Sequence, residues 1–338
     1  MADTDASPPA TTTEPTLPPP NRPEEHVKKQ VSSVSDFGTR FLDSEEDVYN
    51  FNAWDNVEWD AEQESTALEL IAKQAANPVP ADLVQKYDTE ASRMWDAFYA
   101  KNTNRFFKDR NWLRIEFPEI FAGLPERKEG EDGEGRFTVW EIGCGAGNTV
   151  FPLIGAAEGK ELFVWASDYS AVAVDVVKSN PEYDESKCRA FVYDITSEEP
   201  PNIAPESVDI CTCIFVLSAI HPSSWKTAVS NIHRVLKPGG LLLFRDYGRY
   251  DLAQLRLKGG RMLEDNFYIR GDGTRVYFFT QDEVAGMFKD FVVEQNAVDR
   301  RLIVNRKREL KMYRVWLQGK FRKPLRGGNP GEAVKPAE

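Results

Sequence analysis

A glycine-rich segment near the middle of the chain has the composition of a ligand-binding turn. Glu141–Gly147 carries glycine at positions 143, 145 and 147, and it joins an apolar run to a helical pattern. Glycine permits a tight turn there and lets the backbone approach a ligand closely. A dinucleotide-binding loop has its third glycine one residue later. The spacing therefore favours a nucleotide-type ligand other than a nicotinamide dinucleotide, although a dehydrogenase remains the alternative.

Acidic residues follow the next two predicted strands at positions that suit a nucleoside. Asp168 lies 23 residues after Gly145, close to the separation of about 20 at which a carboxylate meets ribose hydroxyls. The alternative for Asp168 is an N-cap of the next helix, although Ser170 also suits that position. Asp194 and Ile195 end the third strand, where a carboxylate can accept from an adenine amine and an apolar side chain can flank the ring.

Glu141 helps to distinguish between possible cofactors. Its charge would repel a pyrophosphate but suits the cationic amino-acid end of S-adenosylmethionine. Ile214, near the carboxyl end of the fourth strand, is expected on the methionine side, because ligands of open α/β sheets lie outside these strand ends. The sequence therefore predicts S-adenosylmethionine as the cofactor, with the binding residues Gly143, Gly145, Asp168, Asp194, Ile195 and Ile214.

The fifth strand ends in Arg245, Asp246 and Tyr247, which are expected at the rim of the active site. A ring nitrogen such as cytidine N3 attacks a methyl group through its lone pair and becomes cationic. Such a reaction needs alignment and a negative group rather than a base. Asp246 suits the negative role, and Arg245 or Tyr247 suits the positioning of a base or a phosphate. The alternative is a local ion pair between Arg245 and Asp246.

Alternating strands and helices must position these residues. Apolar runs predict strands at 138–142, 162–167, 190–193, 207–217, 240–244, 291–304 and 311–319. Helical patterns at about 147–157, 170–179 and 222–236 separate the first five. This alternation predicts a class I methyltransferase (Rossmann-like) α/β fold with a doubly wound, mostly parallel seven-stranded sheet. A Gly-Asp-Gly core between aromatic runs predicts a β-hairpin within an insertion at 249–279.

The remaining segments differ in composition from the predicted sheet. A leader at 1–35, rich in Pro, Thr and charge, is expected to be disordered, as is the tail at 325–338. Residues 36–124 are expected to form an N-terminal cap with an amphipathic helix and aromatic segments. A Gly-rich linker at 125–135 joins this cap to the predicted methyltransferase domain at 136–324.

Charge is unevenly distributed along a chain whose formal net charge is −12. Residues 36–69 contain eleven acidic residues and one arginine, whereas residues 300–326 contain eleven basic residues and one glutamate. This asymmetry favours a nucleic-acid partner; the alternative is a solvated surface strand. Neither a secretory signal nor an apolar run of roughly 18 residues is visible. The four cysteines lack a metal or disulfide pattern. A cytoplasmic protein without membrane or metal partners is expected.

Several long segments resemble the eukaryotic tRNA N3-methylcytidine methyltransferases. The resemblance covers about residues 36–324 and rests on Phe37 to Phe41, Ala53 to Trp59, Phe106 to Arg110, Phe215 to His221, Phe244 to Gly248 and Phe267 to Phe279. The first two segments, with Met312 to Trp316, resemble the branch that acts on threonine tRNAs.

The resemblance implies methylation of cytidine 32 in the anticodon loop of threonine tRNA, by direct transfer to the N3 lone pair. It also implies that Trp95 and Tyr99, which share one helix face, reach over the cofactor. Basic residues expected to bind tRNA are Lys108, Arg110, Arg270, Arg275, Arg306, Lys307 and Arg308. Two alternatives stay open: a methyltransferase acting on a protein or small molecule, and a non-catalytic tRNA-binding scaffold. The sequence does not identify an accessory protein.

Overall fold

The computed structural model describes Gly38, residues 40–126 and residues 135–327, all within the unit Ser35–Glu338. The predicted leader at 1–35 lies outside these residues, as do most of the predicted linker and tail. Within the described residues, no helix is both long and apolar enough to cross a bilayer.

Eleven strands are found in the described part of the chain. They are β1 (Ala53–Asp55), β2 (Phe137–Ile142), β3 (Leu162–Asp168), β4 (Cys188–Val192), β5 (Val208–Ile214), β6 (Leu236–Tyr247), β7 (Met262–Glu264), β8 (Phe267–Ile269), β9 (Arg275–Tyr277), β10 (Val292–Asn305) and β11 (Leu310–Arg322). Eight of them form the main sheet in the order β1-β10-β11-β6-β5-β2-β3-β4. The five strands from β6 to β4 in this order are parallel, and the other three pair antiparallel with their neighbours.

This order confirms the predicted doubly wound α/β fold. The sheet has one strand more than predicted, because β1 from the N-terminal segment pairs with β10 at the edge of the sheet. Trp54 of β1 is buried there, and its Nε1 donates to the carbonyl of Val48 (2.9 Å). A strand of three residues is too short to show an alternating pattern, so β1 could not be predicted from its sequence.

Ten helices accompany these strands within the described residues. They are α1 (Ala61–Ala75), α2 (Ala81–Thr89), α3 (Ala91–Asn102), α4 (Leu113–Glu116), α5 (Glu119–Ala122), α6 (Val150–Ala156), α7 (Ala171–Lys178), α8 (Trp225–Val235), α9 (Leu252–Leu255) and α10 (Gln281–Met287). The amphipathic helix predicted in the N-terminal cap is divided into α2 and α3 at Glu90.

Two apolar layers enclose the sheet, because successive side chains of a strand point to opposite faces. On β2, Trp140 belongs to the layer that contains Ile232 of α8 and Val284 of α10. Its neighbour Val139 belongs to the opposite layer, with Val150 of α6. The sheet is therefore covered on both faces, and a ligand is expected outside its strand ends.

The insertion after β6 forms a separate three-stranded antiparallel sheet, β7-β8-β9. Strands β8 and β9 are the predicted hairpin, and β7 adds a strand that was not predicted. Gly273 in the hairpin turn has φ +84°, and a Cβ there would lie 2.7 Å from Sδ of Met94 on α3. The ring of Tyr277 on β9 packs edge-on against Trp225 of α8 (4.7 Å). The hairpin therefore bridges the N-terminal helices and the chain that follows β5.

The β10–β11 hairpin extends beyond the carboxyl end of β6, the strand next to β11 in the main sheet. Trp316 of β11 pairs with Tyr247, the last residue of β6. Because β11 is antiparallel to β6, the residues from Leu310 to Arg314 extend beyond the carboxyl end of β6, by roughly 15 Å at about 3.4 Å per residue. The hairpin tip therefore lies on the side of the sheet where the parallel strands end.

Candidate active site

A cavity of about 420 Å³ lies at the carboxyl ends of the parallel strands. Its volume falls within the range of small-molecule sites. The β2–β4 side, the β5 side and the N-terminal helices with β9 each contribute a wall. Lining residues include Gly143, Asp168, Tyr169, Asp194 and Ile195 on the first wall, Phe215, Val216 and His221 on the second, and Asp88, Trp95, Tyr99 and Arg275 on the third.

The glycine loop has a backbone that other residues rarely adopt. Gly143, Gly145 and Gly147 have φ of +62°, +54° and +85°. A Cβ on Gly143 would lie 2.6 Å from Cγ2 of Val216, and one on Gly145 would lie 2.5 Å from Oη of Tyr99. Gly143 lines the cavity, whereas Gly145 lies beneath Tyr99. These two glycines are therefore required both by backbone conformation and by close packing.

Asp168 lies between the glycine loop and the next helix. Its Oδ2 accepts from the N–H of Gly145 (2.8 Å), and its Oδ1 accepts from the N–H of Ser170 (2.9 Å). Burial raises the pKa of Asp168 to about 6, and the two backbone donors oppose that shift. Ser170 is the N-cap of α7, accepting from the N–H of Ala173 (3.1 Å). Asp168 is therefore not the cap, and its carboxylate is held at the cavity wall.

Asp194 and Ile195 line the same wall just after β4. Oδ1 of Asp194 accepts from both the N–H (2.8 Å) and the hydroxyl (2.7 Å) of Thr196. Ile195 is buried, and its carbonyl accepts from Nδ2 of Asn231 (2.9 Å). Asp194 is thus held by a local turn and Ile195 by a bond from α8, and both line the same cavity as Asp168.

Trp95 and Tyr99 of α3 close the cavity from the N-terminal side. Their rings stack with a centroid distance of 5.9 Å and an interplanar angle of 26°. Asp96, on the same helix, accepts from Oγ of Ser170 (2.6 Å). This bond ties α3 to the start of α7 and holds the two rings over the glycine loop.

Glu141 and Arg110 are not where the sequence suggested. Glu141 is fully buried and accepts from Nη1 of Arg110 (3.1 Å) and from the hydroxyl of Thr212. Arg110 also donates to Oγ1 of Thr149 (2.7 Å). Burial raises the pKa of Glu141 to about 7 against the effect of Arg110. Glu141 therefore does not face the cofactor, and Arg110, expected to bind tRNA, is instead its internal partner.

Ile214, expected in the cofactor site, does not line the cavity. Its side chain is buried in the apolar layer beneath the sheet, whereas Phe215 and Val216, the next two residues, line the cavity. Phe215 has φ +59°, an uncommon conformation for a bulky residue. Its N–H donates to the carbonyl of Arg245 (2.7 Å). The chain thus turns sharply at the end of β5, and the cavity wall begins one residue later than predicted.

Arg245 is buried within the sheet and does not lie at the rim. Its guanidinium pairs with Asp299 and Gln318, between the rings of Trp112 (5.3 Å) and Trp316 (4.9 Å). The predicted alternative, a pair with Asp246, is also corrected, because the two side chains leave β6 on opposite faces. Arg245 therefore joins β6 to the β10–β11 hairpin.

Asp246 and Tyr247 lie next to the cavity wall. Oδ2 of Asp246 accepts from the N–H of Ser218 (2.9 Å), in the turn after β5. Asp246 is fully buried, and that burial raises its pKa to about 6. It does not line the cavity, so it positions the turn and does not itself meet a ligand there. Tyr247 packs against Phe215 (4.8 Å) and beneath the guanidinium of Arg270 (5.2 Å).

The other basic residues predicted to bind tRNA occupy three places. Lys108 is exposed in the loop that carries the exposed rings of Phe106 and Phe107. Arg270 and Arg275 belong to the β8–β9 hairpin, and Arg275 lines the cavity. The exposed tip of the β10–β11 hairpin carries Arg306, Lys307 and Arg308.

Much of the basic segment 300–326 is neutralised by acidic side chains. Among the described residues, seven of its eleven cations form ion pairs: Arg301, Lys311, Arg314, Lys320, Arg322, Lys323 and Arg326. Lys311 pairs with Glu45 of the acidic segment 36–69. The charge asymmetry of the sequence therefore reflects internal pairing in large part, and the tip is where its charge is most exposed.

Several cavity residues were not predicted, including Asp88, Phe215 and Val216. One of them left a signal, because Asp88 precedes Ala91, Trp95 and Tyr99 at helical spacing, although the structure divides this stretch into α2 and α3 at Glu90. Phe215 and Val216 looked like the continuation of an apolar strand, which conceals the turn.

The cavity suits S-adenosylmethionine. The glycines leave backbone exposed where side chains would clash, Asp168 and Asp194 supply hydrogen-bond acceptors, and aromatic rings face a cationic group favourably. Residues 139–240 match the family model described as "Methyltransferase domain". The fold and this site define a class I S-adenosylmethionine-dependent methyltransferase.

Curated relatives identify a narrower group. The chain is 49% identical over 316 residues to the tRNA N(3)-cytidine methyltransferase METTL2 of Danio rerio, covering 86% of this chain and 89% of that protein. It is 48% identical to the tRNA N(3)-methylcytidine methyltransferase trm140 of Schizosaccharomyces pombe, over 89% of this chain and 99% of that protein. The tRNA(Thr) (cytosine(32)-N(3))-methyltransferase of Saccharomyces cerevisiae is 47% identical, over 86% of this chain and 46% of that protein. The chain belongs to the tRNA N(3)-cytidine methyltransferase family.

Proposed function

We propose that this enzyme forms N3-methylcytidine at position 32 of the anticodon loop of threonine tRNA. The observation that carries the proposal is a single cavity with two chemically different sides. Of the residues that line it, Gly143, Asp168 and Asp194 suit the cofactor. The part of the wall with His221 and Arg275 would receive the acceptor base. The name of the yeast relative supplies the nucleotide and the tRNA.

The proposed cofactor site uses the β2–β4 side. Asp168 would accept from ribose hydroxyls, Asp194 and Ile195 would hold the adenine, and Gly143 would admit the amino-acid end. Trp95 and Tyr99 would cover the sulfonium, because aromatic faces attract cations. The cofactor, when bound, supplies an electrophilic methyl group.

The protein needs to align the acceptor rather than deprotonate it. Cytidine N3 has a free lone pair, so a well-oriented encounter is the main requirement. His221 does not suit a general base: its Nδ1 accepts from the N–H of Ser223 (3.2 Å), so Nε2 carries the proton of the neutral ring. The carboxylates of the cavity would stabilise the positive charge that develops on the base.

The target base has to leave its loop to enter the cavity. Anticodon-loop bases are unpaired, so extrusion requires unstacking alone. Lys108, Arg270 and the tip residues Arg306, Lys307 and Arg308 would contact flanking phosphates. We place the reaction in the cytoplasm; the four buried free thiols suit a reducing compartment.

Purified protein with S-adenosylmethionine and individual tRNA transcripts tests this function. Nucleoside mass spectrometry should detect N3-methylcytidine in threonine tRNA and lose it when nucleotide 32 is changed to uridine. A folded, cofactor-binding protein that yields no such product on any tRNA would reject the proposal. Methyl transfer to protein or small molecules instead would support the first alternative, and tRNA binding without cofactor binding would support the scaffold.

A further inference from the structure

The loop that follows α3 presents two phenylalanine rings to solvent. Phe106 is 59% exposed and Phe107 is 36% exposed. Their centroids lie 4.9 Å apart, and the inner side of each ring contacts the buried ring of Phe98 on α3. A single exposed apolar side chain needs no explanation. The surroundings of this pair therefore decide whether it has a role.

Hydrogen bonds hold the two rings next to the glycine loop. Asn148 directly follows Gly147, and its Nδ2 donates to Oδ1 of Asp109 (3.0 Å) and to the carbonyl of Phe107 (3.4 Å). The N–H of Arg110 donates to the carbonyl of Asn148 (2.9 Å). The loop is thus fixed at both its side chains and its backbone. Rings that are held in place before a ligand arrives bind it at a lower entropic cost.

A continuous series of aromatic contacts joins Phe106 to the cavity. The centroid of its ring lies 4.9 Å from that of Phe98. Phe98 in turn contacts the rings of Trp95 (5.4 Å) and Tyr99 (5.2 Å), which line the cavity. The exposed ring is therefore two ring contacts away from the cavity. This separation is short enough for a ligand in the cavity and a ligand on Phe106 to be neighbouring parts of one molecule.

Cations without acidic partners surround the two rings. Lys101, Arg105 and Lys108 are exposed, and none of them forms an ion pair with another residue in the described part of the chain. Asp109 is the single carboxylate between Lys101 and Arg110. This stretch therefore presents more positive than negative charge around an apolar surface, unlike the basic segment 300–326, where most cations are paired.

An aromatic ring beside cations suits a nucleotide whose base is unpaired. Any base can stack on an aromatic face, and the cations can contact the phosphates on either side. The anticodon loop supplies such bases. When cytidine 32 leaves the loop, the base next to it loses a stacking partner, which is part of the cost of extrusion. A ring at the entrance of the cavity would replace that partner.

We propose that Phe106, supported by Phe107, is a stacking platform for the base of nucleotide 33, the unpaired neighbour of the target. Lys101, Arg105 and Lys108 contact the phosphates around it. The inference rests on the proposed function and assigns to the RNA a second base-binding site outside the cavity. Phe106 touches neither the methyl group nor cytidine 32; it stabilises the loop conformation in which cytidine 32 is extruded.

Binding of a threonine anticodon stem-loop to the full chain, measured by fluorescence anisotropy with S-adenosylhomocysteine present, tests the platform. Phe106→Ala should weaken binding by roughly 5- to 100-fold, the effect expected for one stacked base. Phe106→Trp, which keeps an aromatic face, should bind nearly as well as wild type. An abasic site at nucleotide 33 should weaken binding to wild type by a similar factor and should have little further effect on Phe106→Ala.

Controls separate stacking from charge and from cofactor binding. Leu68→Ala removes a comparably exposed apolar side chain (50%) from α1 and should bind the stem-loop as wild type does. Stacking releases no counterions, so Phe106→Ala should keep the wild-type slope of log affinity against log salt concentration. Lys108→Ala should reduce that slope by about 0.7 to 0.9. The affinity for S-adenosylmethionine should not change in Phe106→Ala, because Trp95 and Tyr99 remain.

Wild-type affinity in Phe106→Ala would overturn the platform, and so would an abasic site that weakens wild type and Phe106→Ala equally. An equal loss of S-adenosylmethionine affinity would assign Phe106 to the aromatic cluster that covers the cofactor and would also overturn it. If Phe106→Ala does not fold, Phe106→Leu keeps an apolar side chain without a ring, and its affinity should fall as well. Failure of the proposed function is distinct, because the wild type would then form no N3-methylcytidine whatever its affinity for the stem-loop.

Discussion

Three buried carboxyl groups near the ends of β2, β3 and β6 show how differently one residue type is used at this site. Glu141 faces Arg110 inside the protein, Asp168 accepts backbone N–H groups at the cavity wall, and Asp246 holds the turn after β5. Burial raises the pKa of each above its usual range. Of the three, Asp168 alone lines the cavity, so effects on cofactor binding are expected mainly there.

Asp168→Asn should weaken cofactor binding. The variant removes the charged acceptor proposed for the ribose hydroxyls, so the Kd for S-adenosylmethionine in calorimetry should rise by roughly 10- to 100-fold. Because the pKa of Asp168 is about 6, wild-type affinity should fall as the pH drops through 6, and the variant should lack this decline. Asp175→Asn, at an exposed position of α7, is the matched control. An unchanged Kd in Asp168→Asn would remove this residue from the site.

Glu141→Gln should reveal a pH-dependent stability difference. The pKa of Glu141 is about 7 in the folded chain, above its ordinary value of 4.5, so the folded state holds the proton more tightly than the unfolded state. This contribution to stability is fully present below pH 4.5 and is lost as the pH rises through 7. The free energy of unfolding of Glu141→Gln, relative to wild type, should therefore rise over this window by up to about 1.4 kcal/mol per pH unit. A difference that stays constant from pH 5 to 7.5 in urea titrations would contradict the raised pKa.

At the scale of elements, the β10–β11 hairpin is joined to β6 by a buried polar cluster. Arg245 lies between two tryptophan rings and pairs with Asp299, which is fully buried and also contacts Arg301. The cluster helps to hold β11 in its register against β6, and this register places the hairpin tip beyond the carboxyl end of β6. We therefore expect it to matter for stability rather than for chemistry.

Arg245→Ala should destabilise the fold strongly. It leaves the buried carboxylate of Asp299 with Arg301 as its remaining cation, so a loss of about 3 kcal/mol in the free energy of unfolding is expected. The double variant Arg245→Met with Asp299→Leu removes both charges and should recover much of that loss. Denaturant titration measures both. A single variant as stable as wild type, or a double variant less stable than the single one, would contradict the account of this cluster.

The elements themselves were largely predictable, whereas their partners were not. Strands such as β2, β3 and β10 follow apolar runs, and the helix after β3 begins at Ala171, directly after its N-cap Ser170. Arg245 was misplaced because its partner is 54 residues away on a strand whose register no local pattern reveals. Arg110 was misplaced for the same reason, since Glu141 lies 31 residues later.

The residues proposed for the cofactor were easier to place at the cavity from the sequence than those proposed for the acceptor. Its glycines and Asp168 follow from backbone geometry at consecutive strand ends, which spacing along the chain records. The wall proposed for the acceptor combines α2, the turn after β5 and β9, and so it depends on long-range packing. Asp88 could have been found from its helical spacing to Trp95 and Tyr99, but its pairing with Arg275 could not.

Over the whole molecule, the net charge of −12 does not show that some cations are paired with acidic side chains while others are exposed. Most of the basic segment is neutralised by acidic side chains, whereas the hairpin tip projects its charge on the cavity side of the sheet. Electrostatic attraction to RNA is therefore expected to depend on a few residues at this tip.

Replacing Arg306, Lys307 and Arg308 by alanine should weaken tRNA binding in a salt-dependent way. Loss of three phosphate contacts reduces the slope of log affinity against log salt concentration by about 2 to 3. Affinity for S-adenosylmethionine should not change. The matched control replaces Lys178, Lys187 and Arg189, three exposed cations near the amino ends of the strands. Equal salt slopes for wild type and the tip variant would contradict phosphate binding there.

We propose that one cavity holds the cofactor on its β2–β4 side and the target cytidine on its β5 side. An experimental structure of the protein with S-adenosylhomocysteine and a threonine anticodon stem-loop tests it most directly. We predict the adenosine beside Asp168 and Asp194, and cytidine 32 extruded into the space between Asp88, His221 and Arg275. A stem-loop bound with cytidine 32 outside this cavity would contradict the account.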